Sequence, residues 1–424
     1  MEKIDVVIVG SGLAGLTAAN YLAMEGKNVV VFEKANRLGG RSMTNNVNGA
    51  LFNIGAHALY KGGEAIPIFK ELGIEIRGRN ALVQTHGIWK NKAVPFATGL
   101  GSLLNSPLFS WSEKFQFTQL IIQIWKMNID KVMTISLRDW AEKEIKSPMI
   151  RHYFYALCRT TTYTHAPNLQ QARTVLRQLQ RTLKTGVIYV DGGWETIVSD
   201  LRKKAENLGV KIKSHYKVER VVDRHPLKTI RCANNETFET ENVILAVPPN
   251  EACRLIESSS LLSWKEQAVP ITATALDFCL THLPNPDHQF VLGLDQPIFF
   301  TNESRAAKVC KEGNVVVHLI KYHDPSCSDY DPHVNKEQLE KTMDLLQPGW
   351  RNALITQQFL PKITVVHDFS RIDRQGPIGP EVPSTQGLYI AGDWACHEEL
   401  LADGAVASGK RAAIKILEKS KILV

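Results

Sequence analysis

Ile4-Asp5-Val6-Val7-Ile8-Val9-Gly10-Ser11-Gly12-Leu13-Ala14-Gly15 is the stretch whose reading decides the fold. Its apolar run predicts a buried strand, and the glycines after it predict a sharp turn into a helix. Gly10 lets the chain leave the strand, Gly12 lets backbone approach a pyrophosphate, and Gly15 lets the helix sit close to the sheet. The start of such a helix, here Gly12-Leu13-Ala14, offers unpaired N–H groups and partial positive charge to phosphates, with Ser11 beside it. A second apolar run, Val29 to Phe32, ends at Glu33, about 20 residues beyond Gly12, where a carboxylate can accept hydrogen bonds from a ribose hydroxyl. Strand, glycine turn, helix, strand and acid together predict a dinucleotide-binding β-α-β unit.

The continuation, Glu33-Lys34-Ala35-Asn36-Arg37-Leu38-Gly39-Gly40-Arg41-Ser42, resembles the flavin amine oxidase, protoporphyrinogen oxidase and phytoene desaturase superfamily. The resemblance implies FAD, with Gly39 and Gly40 in a tight turn and Arg41 reaching the pyrophosphate beside Lys34 and Ser42. A guanidinium suits that task because its planar fork supplies charge and paired donors. Far along the chain, Gly387-Leu388-Tyr389-Ile390-Ala391-Gly392-Asp393-Trp394 and Asp403-Gly404-Ala405-Val406-Ala407-Ser408-Gly409 resemble the same superfamily's second signature. That likeness implies Gly392 and Asp393 near the ribityl or phosphate region. It also implies that the helix start at Gly404, Ala405 and Val406 faces the N1–C2=O edge of the flavin, where a helix N-terminus stabilises negative charge.

Three middle stretches fit the same scheme. Phe52-Asn53-Ile54-Gly55-Ala56-His57 resembles the segment that passes the isoalloxazine, which implicates Gly55, Ala56 and His57; the family often has Asp where this chain has Asn53. The resemblance further implies that the backbone of Val218 pairs with the adenine. It places Ala246, in Val243-Ile244-Leu245-Ala246-Val247-Pro248-Pro249, at a second crossing near FAD.

At 424 residues the chain exceeds the size at which one core usually stops growing, so two domains are expected. The expected architecture is α/β, a Rossmann-like FAD-binding domain of the glutathione-reductase type assembled from residues 1–63, 185–264 and 361–424. An α+β substrate domain would comprise a mostly helical 64–184 and a β-rich 265–360. The basic stretch 173–184 reads as an exposed helical face.

Hydrophobic residues make up 44% and charged residues 22%, as in an ordinary globular protein. Seven cysteines are scattered without Cys-x-x-Cys or zinc-like spacing, so reduced thiols, no metal site and a cytoplasmic setting are expected, and the early strand is read as leaving no room for a leader. The net charge of +7 lacks the aromatic-interleaved basic tract of a nucleic-acid binder. Residues 107–128 are too polar to span a bilayer. They read either as a substrate-domain helix or as an interfacial helix making peripheral membrane contact.

A bound flavin would carry the redox chemistry, leaving the protein to hold a C–H or C–N bond against it. No Gly-x-Ser-x-Gly, His-Glu-x-x-His or P-loop suggests other chemistry. No second glycine fingerprint offers an NADPH site, so oxygen or a quinone is the expected acceptor. The loop 371–380 lacks both an aromatic residue and a tethering cysteine, which points to non-covalent FAD and away from an aromatic cage for a small amine. Leu401, with Leu400 and Ala402, would form an apolar wall near Trp394. The run from Ala391-Gly392-Asp393-Trp394 to Gly404-Ala405-Val406 is most similar to the phytoene and squalene-associated desaturase branch. That implies dehydrogenation of an apolar, isoprenoid-like substrate by hydride transfer to N5. The alternatives are an amine or amino-acid oxidase releasing hydrogen peroxide, a non-catalytic FAD-binding protein, and a nicotinamide-only dehydrogenase. His57 either shuttles a proton beside the ring or is satisfied by backbone partners. Trp89, His397, Glu398 and Glu399 read as packing and helix-dipole residues.

Overall fold

Two seven-stranded sheets organise the molecule, a computed structural model described for residues 3–80, 85–96, 103, 106–224, 226–327, 330–374, 376–383, 385–395 and 397–422. In the first sheet, strand Ile4–Val9 runs parallel to Val29–Phe32 on one side and to Thr237–Leu245 on the other, with Val7 opposite Val30 and Val243. Lys211–Lys213 extends one edge in parallel, and Leu388–Ile390 joins the end of Thr237–Leu245. Antiparallel strands Leu227–Cys232 and Val218–Arg224 complete it. Both faces of the parallel centre are covered, which is why Val6 to Ile8 is an unbroken apolar run. Helix Leu13–Met24 packs against helix Leu401–Ile422 so closely that a Cβ on Gly409 would lie 2.3 Å from the Ala14 carbonyl oxygen. Only glycine permits that approach, and it brings the two ends of the chain together.

The second sheet is built on Ile271–Leu280, antiparallel to Val315–Tyr322 and Leu354–Val366; Ile298–Asn302 and Phe290–Gly293 follow. A hairpin, Thr85–Trp89 with Lys92–Pro95, adds to Phe290–Gly293 in parallel. It comes from the stretch that reads as mostly helical. Its turn residues Lys90 and Asn91 both have positive φ (48° and 57°), as a two-residue hairpin requires, but Lys-Asn is a weaker signal than Asn-Gly. One face of this sheet packs Phe278, Phe300 and Val317 on Leu339, Met343 and Leu346 of helix Pro332–Leu346. The other face, with Ala273, Ala275 and Ile320, meets a helical layer containing Trp111–Lys126, Pro148–Thr162 and Ala172–Thr185.

Helix Trp111–Lys126 begins later than its apolar pattern, because Ser110 and Glu113 close a capping box at its start. The basic stretch 173–184 is not simply an exposed face. Arg173 donates to the Val132 carbonyl, Arg177 pairs with Asp130 and Glu398, and Arg181 pairs with Glu64. Among the described residues no group of side chains could hold a metal, and no helix is long and apolar enough to cross a membrane. Cysteines 158, 232, 253, 279, 310 and 327 are free thiols, and Cys396 lies outside the described residues.

A buried polar network locks hairpin Thr44–Val47/Ala50–Asn53 to the second sheet. His318 contacts Asp277 through Nδ1 (2.8 Å) and Glu303 through Nε2 (2.5 Å), and all three are almost fully buried. Gln358 donates to Asp277 and to the Asn53 carbonyl (both 3.0 Å). The Asn53 amide donates to Glu303 Oε1 (3.0 Å), while its oxygen accepts from Thr44 Oγ1 (2.8 Å) and the Trp194 N–H (3.0 Å). An amide is needed at Asn53 because its neighbour Glu303 is already a carboxylate; this explains the departure from Asp. Asn53→Asp would set two buried acids face to face. It is expected to cost about 3 kcal/mol, read as a lower denaturation midpoint.

Candidate active site

The edge between the two sheets holds a cleft of about 540 Å³ that takes its walls from both ends of the chain. Gly10 (φ +103°) has no room for a Cβ, which would lie 2.4 Å from the Ala246 carbonyl oxygen; at Gly15 it would lie 2.0 Å from that of Gly10. Gly12 differs. Nothing in the chain comes nearer to its Cβ position than the Gly39 oxygen at 4.0 Å, and that position belongs to the cleft. Helix Leu13–Met24 starts there with no side-chain cap and no acid in its first turn. Its open N–H groups and the partial charge they carry suit a diphosphate. Glu33 closes this end, its carboxylate accepting from the Ser11 N–H (3.0 Å), Ser11 Oγ (2.7 Å) and the Ala35 N–H (2.9 Å).

Arg41 donates from Nη1 to Asp393 Oδ2 and to the Val365 carbonyl, both at 2.7 Å. Asp393 also accepts from the His367 N–H (2.9 Å) and contacts its Nδ1 (3.1 Å). Burial alone would raise the Asp393 pKa, but the Arg41 charge and the His367 bonds outweigh it and hold the carboxyl well below the usual range. Arg41 and Asp393, two of the residues assigned from sequence to the phosphate region, thus form an ion pair in the wall of the cleft.

Ser11, Gly12, Leu13, Ala14, Lys34, Gly39, Gly40, Ser42, Ala56, His57, Val218, Ala246, Gly392, Trp394, Leu401 and Ala405 all line the cleft with Gly10, Glu33, Arg41 and Asp393. Four expected residues do not. Gly15 serves packing. Gly55 (φ +88°) lies against Ile363, where a Cβ would come within 2.7 Å. On helix Leu401–Ile422, Leu401, Ala402, Asp403 and Ala405 line the cleft; Gly404 is off the cleft, and Val406 is buried in the core with Leu13 and Leu16. Trp394 is nearly fully buried and donates from Nε1 to the Val247 carbonyl (2.9 Å), which makes it a fixed part of the scaffold.

At the end opposite Val218, the walls are Ile54, Ala56, His57, Ala273, Ile320, Ile363 and Leu401, with two tyrosines that sequence reasoning missed. Tyr60 donates to the Thr161 carbonyl (2.9 Å), and Tyr163 caps helix Pro148–Thr162 in a left-handed conformation (φ 55°). Aromatic walls therefore exist, although neither comes from the loop 371–380. His57 Nδ1 lies 2.7 Å from the Gly55 carbonyl oxygen. Burial lowers its pKa against that bond, so the ring is neutral, with the proton on Nδ1 and a free acceptor at Nε2. Asp403, also unassigned from sequence, accepts the Ala65 N–H (2.8 Å) and so caps helix Ala65–Glu71; burial pushes its carboxyl up to about 7. His397 and Glu399 are bonded to each other, with Glu399 held by Arg411 and Glu398 by Arg177.

An uncapped helix start over a glycine cradle, a charged clamp at the centre and an apolar end together fit a flavin dinucleotide. Comparison with known proteins agrees. The family described as flavin containing amine oxidoreductase matches residues 13–273. The chain is 21% identical over 485 residues to 15-cis-phytoene desaturase of Arabidopsis thaliana, covering 100% of this chain and 81% of that protein. It is 25% identical over 471 residues to flavin-containing amine oxidase B of Sus scrofa, covering 98% and 86%. An oxidoreductase from Methanosarcina mazei shares the fold with a TM-score of 0.76 at 18% identity, over 98% of this chain and 100% of that one. With more than half of its length matched and a cleft shaped for the cofactor, this chain belongs to the flavin-containing amine oxidoreductases and is an FAD-dependent oxidoreductase.

Proposed function

We propose that the protein holds FAD non-covalently and uses it to dehydrogenate a mostly apolar, isoprenoid-like substrate, with oxygen or a quinone as acceptor. The observation that carries this reading is the composition of the cleft end away from Val218. Its walls are mainly aliphatic and aromatic, its histidine is neutral, and Lys and Arg are absent from it among the described residues; the acid beside Leu401, Asp403, is bound to the Ala65 N–H and its carboxyl is pushed up to about 7 by burial. An unpaired charge on a substrate would be costly to bury there. Among the described lining residues there is also no cysteine to tether a flavin.

When bound, the flavin supplies an acceptor for a hydride equivalent. The chain's own residues orient and shield. Ile320, Ile363 and Leu401 exclude water, and His57 offers Nε2 as a proton acceptor or hydrogen-bond partner. The amine oxidase reading is favoured by one observation, the pair Tyr60 and Tyr163, which could flank a small amine. Anaerobic titration of the purified yellow protein separates the two. Bleaching by isoprenoid lipids supports the proposal. Bleaching only by amines, with peroxide formed on readmitting air, sinks it, and bleaching by neither donor class would favour a structural flavin.

Leu401 sharpens the test. Its φ of +56° is a conformation that Asn tolerates better than Leu, so Leu401→Asn changes wall chemistry at little cost to the backbone. The variant should retain flavin and thermal midpoint while kcat/KM for an apolar substrate falls about tenfold or more.

A further inference from the structure

Helix Trp111–Lys126 is apolar on two opposite sides. Phe117, Leu120 and Ile124 are buried in the core shared with Val175, Leu176 and Leu179. On the other side Trp111, Phe115, Ile122 and Trp125 recur at i, i+4, i+11 and i+14, a single stripe at helical period. They are 74%, 65%, 49% and 49% exposed, and Met133 just beyond is 65% exposed. A helix that merely packed on its neighbours would present polar residues outward.

The charges beside the stripe are cationic. Lys114 Nζ lies 4.6 Å from the Trp111 ring and Lys184 Nζ 5.6 Å from that of Trp125, while Lys126 and Lys131 are exposed. The nearby acids are engaged. Glu113 accepts from Ser110 and Ser147 on the inward side, Asp130 accepts from Arg177, and Glu144 accepts from Gln123.

We propose that this stripe is a membrane-contacting surface that lies flat on an anionic lipid bilayer, its indoles at headgroup level and its lysines on lipid phosphates. Charge decides the occupant. Two copies meeting stripe to stripe would oppose their lysines, whereas an anionic bilayer neutralises them. The surface is independent of which substrate the cleft accepts.

Flotation of the full-length holoprotein with vesicles of phosphatidylcholine alone, and of equimolar phosphatidylcholine and phosphatidylglycerol, tests this. Binding is expected on the anionic vesicles and should weaken in high salt. The double variant Trp111→Gln/Trp125→Gln should partition on the order of tenfold or more weakly, with unchanged flavin content and melting. Lys126→Glu/Lys131→Glu should lose the preference for the anionic vesicles. Equal partitioning of wild type and the tryptophan variant would overturn the proposal, as would failure of the wild type to bind. A wild-type dimer that the tryptophan substitutions convert to monomer would reassign the stripe to self-association.

Discussion

Gly12→Val is expected to fold and to purify colourless. The three glycines of the first turn have different reasons to be glycine. At Gly10 and Gly15 an added Cβ would meet backbone oxygen at 2.4 Å and 2.0 Å, so the protein itself forbids a side chain. At Gly12 the backbone is extended (φ −69°, ψ −179°), a conformation any residue adopts, and the nearest protein atom is 4.0 Å away. What excludes a side chain there is the diphosphate. The variant should therefore unfold within about 1 kcal/mol of the wild-type apoprotein, since lost capping by glycine and reduced unfolded-state entropy nearly offset. Flavin affinity should drop at least about a hundredfold, or about 2.8 kcal/mol. Gly15→Val is the contrast: it should fail to give soluble, folded protein. A Gly12→Val protein carrying a full complement of flavin would show that the phosphates lie elsewhere.

The features legible in the sequence are the ones made locally. A strand, a glycine turn and a helix start occupy contiguous residues, and their roles follow from backbone geometry that any such run must adopt. The meeting of the two ends was expected on other grounds, the resemblance of both signatures to one superfamily, and the structure supplies its physical basis. Gly409, in a run of small residues, is where the C-terminal helix backbone comes up against Ala14. Of the cleft's apolar end, Ala56, His57, Leu401 and Ala402 were legible, but Ala273, Ile320 and Ile363 were not, because they come from three strands whose side chains reach the site only after long-range pairing. On each of them the cleft-facing residue reads as ordinary core. Val406 shows how small the error can be. Leu401, Ala402, Asp403 and Ala405 line the cleft, while Val406, one residue further on, turns into the core beside Leu13 and Leu16. Tyr163 was hidden for another reason: a non-glycine residue in a left-handed helix cap carries no distinguishing sequence signal.

His318→Leu is expected to be strongly destabilising although it lies outside the cleft. His318 sits between Asp277 and Glu303, with Gln358 and Asn53 satisfying the remaining carboxylate oxygens. Burial would lower its pKa, but the two acids outweigh burial and push it up to about 10, so the ring is charged at neutral pH. Removing it leaves two buried carboxylates without their cation, a loss on the order of 3–5 kcal/mol. The sign of the pH dependence follows from linkage. Between the ordinary value of 6.5 and about 10, the folded protein holds a proton that the unfolded chain has released. Stability from this group is thus complete below 6.5 and is lost as pH rises towards 10. Asp403, raised from 3.8 to about 7, gives its own decline over that lower range, and thiols such as Cys158, raised from 9.0 by burial, add theirs only above it. The window from 7 to 9 therefore isolates His318 from those groups. Denaturant midpoints measured across it should fall for the wild type and stay nearly level for His318→Gln, which keeps a donor but cannot titrate. A wild-type midpoint that holds steady through that window would mean the imidazole is neutral, and the charged clamp between the hairpin and the second sheet would have to be abandoned.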